Sequence, residues 1–132
     1  MDQQPTDADI LRFAAELAIS QPGGTLSTMH SEDGTPYVTY VLAHMLATGE
    51  VLFGSPEKPQ HVRNMEATPE VSFLWDNREV IRSAPDSFTR CVIEGRAERI
   101  ERTDPRYGPW IEEVRAKNEM AATFTERAAM YC

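Results

Sequence analysis

Three histidines, two cysteines and a sparse set of basic side chains are the groups in this chain that could carry chemistry. His30, His44 and His61 lie 14 and 17 residues apart. That spacing places no two of them on one helical turn or one short metal-binding loop. Each imidazole is open to two readings: an exposed or structurally bonded ring, or a group that carries a proton near neutral pH. Cys91 and Cys132 match no metal or redox spacing. Cys91 sits in an alternating apolar run and reads as a small core residue, while Cys132 reads as a mobile thiol. No nucleophile elbow, phosphate-cradling Gly-rich loop, dinucleotide fingerprint or His-Glu-x-x-His is present. A chain with no self-contained catalytic constellation would take its chemistry from a cofactor.

The charge balance narrows the partners. Thirteen Lys and Arg against 21 Asp and Glu give a formal net charge of −8, which disfavours nucleic acid, whose phosphates need a basic face, and an anionic membrane. A small anionic ligand remains compatible, because a few well-placed arginines reverse the potential locally. At 132 residues with 41% hydrophobic content, the chain reads as one globular domain, 1–132. The acidic, polar stretch Met1 to Asp9 is unlike a signal peptide, and no apolar run approaches the roughly 20 residues that span a bilayer. A cytoplasmic location is the expectation.

The elements that must position these groups follow from periodicity. Asp7 and Asp9 offer N-cap chemistry ahead of Ile10, Leu11, Phe13, Ala14, Leu17 and Ala18, whose spacing predicts an amphipathic helix over about 8–20. Pro22-Gly23-Gly24 ends it. Thr25 to Met29 reads as a strand, Glu32-Asp33-Gly34 as a turn and Tyr37 to Leu46 as the returning strand. Thr48-Gly49-Glu50 turns the chain into Val51-Leu52-Phe53. A loop, Ser55 to Pro59, precedes a helical segment, Gln60 to Ala67, and Val71 to Trp75 is a further strand. Asp76 to Asp86 is polar, with room for a short strand at Val80-Ile81. Phe88 to Ile100 reads as the longest strand. Asp104-Pro105 opens helical sequence, and a last helix is expected from about Asn118 to Met130. Hairpin-sized gaps between strands call for antiparallel pairing. The fold class expected is mainly β with flanking helices: a six-stranded antiparallel barrel over about 24–103, with C-terminal helices over about 104–130. Trp75 and Trp110 read as packing or interface residues.

Four segments in order resemble one family. They are Gly24-Thr25-Leu26-Ser27-Thr28 with Asp33-Gly34-Thr35-Pro36-Tyr37-Val38-Thr39; Val51-Leu52-Phe53-Gly54-Ser55; His61-Val62-Arg63-Asn64-Met65 with Thr68-Pro69-Glu70-Val71-Ser72-Phe73; and Arg90 to Ile100. Together they resemble the pyridoxamine 5'-phosphate oxidase-like, FMN-binding split barrels. The resemblance implies a homodimer with FMN at the subunit interface and an FMN-dependent oxidoreductase acting on a small molecule. Carried over by position, Thr39, Tyr40, Val41 and Leu42 would line the cofactor from one strand. Phe53, Gly54 and Ser55 would approach from the next. Gln60 and His61 would hold the phosphate at a helix N-terminus, and Arg90 would face the site from the long strand.

Two departures stand out. His61 replaces the family's lysine, leaving Lys58, Arg63 or Arg90 to supply the permanent charge. Pro59 replaces a serine and removes a backbone donor. The His-x-x-Asn at 61–64 is also similar to the heme-degrading branch of the fold, although the axial ligand of that branch finds no counterpart at Met130-Tyr131-Cys132. The alternatives implied are a non-catalytic flavin- or heme-binding or sensing module, a heme-degrading relative, or use of a deazaflavin. The long acidic tail of a deazaflavin would call for more positive charge than two lysines and scattered arginines provide.

Overall fold

The computed structural model describes residues 3–132. The elements in chain order are α1 (Asp7–Ser20), β1 (Gly23–Met29), β2 (Pro36–Met45), β3 (Val51–Ser55), α2 (Gln60–Ala67), β4 (Glu70–Asp76), β5 (Arg90–Arg96), β6 (Arg99–Ile100), α3 (Tyr107–Lys117), α4 (Glu119–Arg127) and β7 (Ala129–Tyr131). Among the described residues the strands form one sheet in the order β5-β4-β1-β2-β3-β7-β6, and every pairing is antiparallel. The strands at its two ends, β5 and β6, are consecutive in sequence, separated only by Ala97 and Glu98. A sheet whose first and last strands are so joined must curl back on itself, which gives a split barrel with no ladder between β5 and β6 among the described residues.

Alternation along the strands sorts the side chains. Leu26, Val41, Ala43, Phe53, Phe73 and Trp75 point inward and form one core with Ala14, Leu17 and Ala18 of α1. On the far side of β3, β7 and β6, Leu52, Ile100 and Met130 meet Ile111 and Val114 of α3 and Ala122 of α4 in a second core. Trp75 is fully buried with its ring edge-on to Phe73 at 4.5 Å, which is the packing role expected of it. Trp110 is half-buried and carries the Arg106 guanidinium over its ring.

The sequence reading is corrected at five places. The sheet has seven strands, because Ala129–Tyr131 is a strand and not the end of a helix. Val80–Ile81 is not a strand; a 3₁₀ turn covers Arg78–Val80. The segment 88–100 is broken by the bend at Ala97-Glu98, so β2, with 10 residues, is the longest strand. Asp104 does not cap α3, which starts at Tyr107; its carboxylate instead accepts from the Arg106 backbone and guanidinium. Cys132 is not mobile. Its backbone exchanges both hydrogen bonds with Glu98 (2.7 and 2.8 Å), and burial pushes its thiol up to about 11.

Candidate functional site

The first turn of α2 is where backbone and side chains converge on a polar locus. Val62 N and Arg63 N both donate to the Pro59 carbonyl, so the Gln60 and His61 N–H groups are the ones the helix leaves over. The N-cap is Pro59, which supplies no side-chain acceptor; Thr6 and Asn118 do cap α1 and α4. Lys58 and Arg63 are the cations beside this end. The Arg63 guanidinium donates to the Lys58 carbonyl (2.7 Å) and to Gln60 Oε1, which holds it over the turn while it stays exposed.

Beneath that turn lies a buried hub. Asn64, with no solvent exposure, donates through Nδ2 to Thr28 Oγ1 (2.9 Å). Its Oδ1 accepts from Ser31 N (2.9 Å) and Gln60 Nε2 (2.7 Å). Gln60 Nε2 also reaches Ser31 Oγ, whose own proton is left to donate. The hub therefore ties α2 to the end of β1 and to the β1–β2 turn. An uncapped helix end, two cations and a serine hydroxyl suit a phosphate.

His61 takes a different part from the one its position suggested. Its ring is buried, Nε2 lies 2.8 Å from Ser55 Oγ, and burial lowers its pKa from 6.5. A neutral ring already paired to a buried hydroxyl gives an anion no charge. Its contribution is to fasten the end of β3 to the start of α2. The other expected residues separate by face. Val41 and Phe53 are core residues, Phe53 stacked on Tyr131 at 5.6 Å, and half-buried Thr39 shares their inward parity. Tyr40 and Leu42 point outward and are exposed. Gly54 is closed off by α4, since a Cβ there would lie 2.9 Å from Thr125 Cα. Arg90 pairs with Asp76 at the far end of β4, roughly 17 Å along the strands from the Thr28 level. Within one chain it does not join the α2 locus.

A second feature lies on the outward face of β2. Leu42 and His44 face α4 across an apolar groove of about 230 Å³ closed by Pro22, Met120, Ala121 and Phe124. His44 also borders a more polar cleft with Lys117 and Asn118. Burial, and then the Lys117 ammonium, lower its pKa from 6.5, so the ring facing the groove is neutral near pH 7. Beyond it the sheet's outer face carries exposed Met29, Val38, Tyr40, Leu42 and Val92. Sequence reasoning missed Ser31, Asn64 and His44 as site-forming groups. For Asn64 a signal existed, because it lies one turn after Gln60 on the same helix face.

Among the described residues no group of three or more His, Cys, Asp or Glu could hold a metal, and no helix is long and apolar enough to cross a membrane. The family model described as pyridoxamine 5'-phosphate oxidase matches residues 12–129. The solved structure of HutZ, a heme storage protein from Vibrio cholerae, superposes with a TM-score of 0.72 at 18% identity, over 91% of this chain and 85% of that one. A heme binding protein from Mycobacterium smegmatis gives 0.75 at 21% identity, over 98% of this chain and 51% of the other. An FAD-binding protein from Mesorhizobium loti gives 0.67 at 15% identity, over 91% and 83%. At these identities the structural likenesses speak for the fold. No curated protein matches the chain.

Proposed function

This chain belongs to the pyridoxamine 5'-phosphate oxidase family, and from that premise we propose that it binds FMN and works, as a homodimer, as an FMN-dependent oxidoreductase on a small molecule. The observation that carries the reading is the α2 N-terminus. Its two leftover N–H groups, Lys58, Arg63 and Ser31 are the complement of a phosphate. The proline at the cap removes the intramolecular competitor that occupies the ends of α1 and α4.

When bound, the flavin supplies the electron and hydride chemistry; the chain's residues bind, orient and exclude water. Asn64 and the Ser55–His61 pair hold the phosphate cradle rigid. The outward strip Val38-Tyr40-Leu42 supplies apolar surface for a flat ring, and a second copy laid on this face would keep it from water. His44 faces open space with its pKa lowered by burial, so its ring can accept a proton at that edge.

The second reading is heme binding. It is favoured by His44, a neutral imidazole beside Met120 in an apolar groove, and by two structural neighbours, a heme storage protein and a heme binding protein. The visible spectrum of the purified protein and its titration with FMN and with hemin separate the readings. A flavin band and saturable FMN binding, at least tenfold tighter than that of phosphate-free riboflavin and lost in Lys58→Glu/Arg63→Glu, are expected. A Soret band that disappears in His44→Ala would replace FMN by heme. Equal affinity for FMN and riboflavin would refute the phosphate site.

A further inference from the structure

The barrel interior is not filled at one end. A cleft of about 210 Å³ runs in from the surface, walled by the inward side chains Leu26, Val51, Phe53, Val71, Phe73 and Ile93. Its rim is formed by Glu50, Arg96 and Cys132. This space lies inside the barrel, apart from both the α2 locus and the outer face of β2.

Gly95 gives an independent sign that the space is maintained. It sits within β5 at the cleft. Its φ is not positive, so no turn geometry demands glycine. A Cβ at this position would meet nothing within 4 Å, so crowding does not demand it either. A glycine in a strand forgoes packing and stiffness, and here it leaves the mouth of the cleft open.

We propose that this cleft binds a small, uncharged, monocyclic aromatic molecule. Size sets the upper limit. An apolar cavity of about 150 Å³ in another protein admits benzene, so 210 Å³ accommodates a substituted benzene and is too small for a flavin or a porphyrin. Chemistry sets the rest. The inner wall offers no hydrogen-bonding side chain, so a charged guest of either sign would lose its hydration there without compensation. Phe53 and Phe73 offer ring faces and edges to an aromatic guest.

The test is methyl ¹³C NMR of the full chain titrated with toluene. Saturable shifts are expected at Val51, Val71 and Ile93, with the outer-face methyls of Val38 and Val92 unmoved. Gly95→Val, which narrows the mouth with a good strand former, should weaken toluene at least tenfold; Val71→Phe, which fills the cleft from the neighbouring strand, where Val71 is the register partner of Gly95, should do the same if Gly95→Val fails to fold. FMN titration of either variant should match the wild type. Absence of saturable shifts at the three inward residues, or unchanged toluene affinity in a folded filling variant, would overturn the proposal.

Discussion

The buried amide of Asn64 is the most consequential polar side chain, and replacing it by leucine has a calculable cost. Leucine keeps asparagine's branching at Cγ but is bulkier, so some overpacking adds to the lost hydrogen bonds, and the bonds alone set the minimum cost. Ser31 N and Gln60 Nε2 lie near solvent and can turn to water or to each other's neighbourhood. Thr28 cannot: with 2% exposure its hydroxyl is left facing an apolar side chain. An unsatisfied buried group costs about 1–3 kcal/mol, and each of the other bonds contributes about 0.5–1.5 kcal/mol before water compensates. A total of ~3 kcal/mol follows for Asn64→Leu. An unfolding entropy of about 2.1 cal/mol/K per residue over 132 residues gives ~0.28 kcal/mol/K, so the melting temperature should fall by ~11 °C.

The double-mutant cycle with Thr28→Val distinguishes the hydrogen-bond argument from simple loss of packing. Thr28→Val alone strands the Asn64 Nδ2 donor in the core, and should also destabilise by about 1–3 kcal/mol. With both partners apolar, neither is left unsatisfied. The double variant should therefore be more stable than the sum of the single effects by ~1–2 kcal/mol. Denaturant unfolding at constant m-value measures all four corners. Additivity within about 0.5 kcal/mol, or an Asn64→Leu loss below about 1 kcal/mol, would refute the assignment of Asn64 as the hub that holds α2 to β1.

Two further expectations concern titration and assembly. His61 and His44 both have folded pKa values pushed below 6.5 by burial, so the unfolded chain takes up their protons first. The stability they confer is whole above about pH 6.5 and is lost as pH falls from there through the lowered folded values. Thermal melts between about pH 7.5 and pH 5 should show this fall, with a smaller one in His61→Gln, whose amide can keep the Ser55 bond; an identical fall would exclude His61 as a contributor. Light scattering should give a mass near twice the 14.9 kDa chain, and Tyr40→Asp with Val92→Asp on the outer sheet face should halve it. A doubly substituted chain that remains dimeric would place the interface elsewhere.

What could be read from the sequence was what neighbouring residues decide. The β1–β2 hairpin has a turn at Glu32-Asp33-Gly34, where Gly34 adopts φ +71°, and alternation on both sides of it; the segment Gln60–Ala67 has helical spacing from end to end. β7 was illegible for the opposite reason. Ala128-Ala129-Met130 has strong local helix preference, yet β3 and β6 leave an open slot of backbone donors and acceptors between them. Ala129 to Tyr131 fills it and buries all three side chains, and no local pattern announces a partner 74 to 78 residues away in Phe53–Ser55. Distant pairing overrides propensity where the alternative is an unpaired sheet edge.

The candidate site shows a subtler form of the same limit, because there it is the face of an element that matters. Position along the chain placed His61 at the start of α2, and that placement holds. But a residue four before Met65 shares Met65's side of the helix, and Met65 and Val62 are core. The imidazole is thereby drawn inward to Ser55, while Gln60 and Arg63, three apart, stay on the open side. The same reasoning by parity moves Val41 and Phe53 into the barrel and leaves Tyr40 and Leu42 outside it. A ligand laid against this chain therefore meets alternate residues of β2 and the Gln60–Arg63 face of α2. In the proposed complex the charge that anchors the phosphate would come from Lys58 and Arg63, because the histidine between them is paired to Ser55.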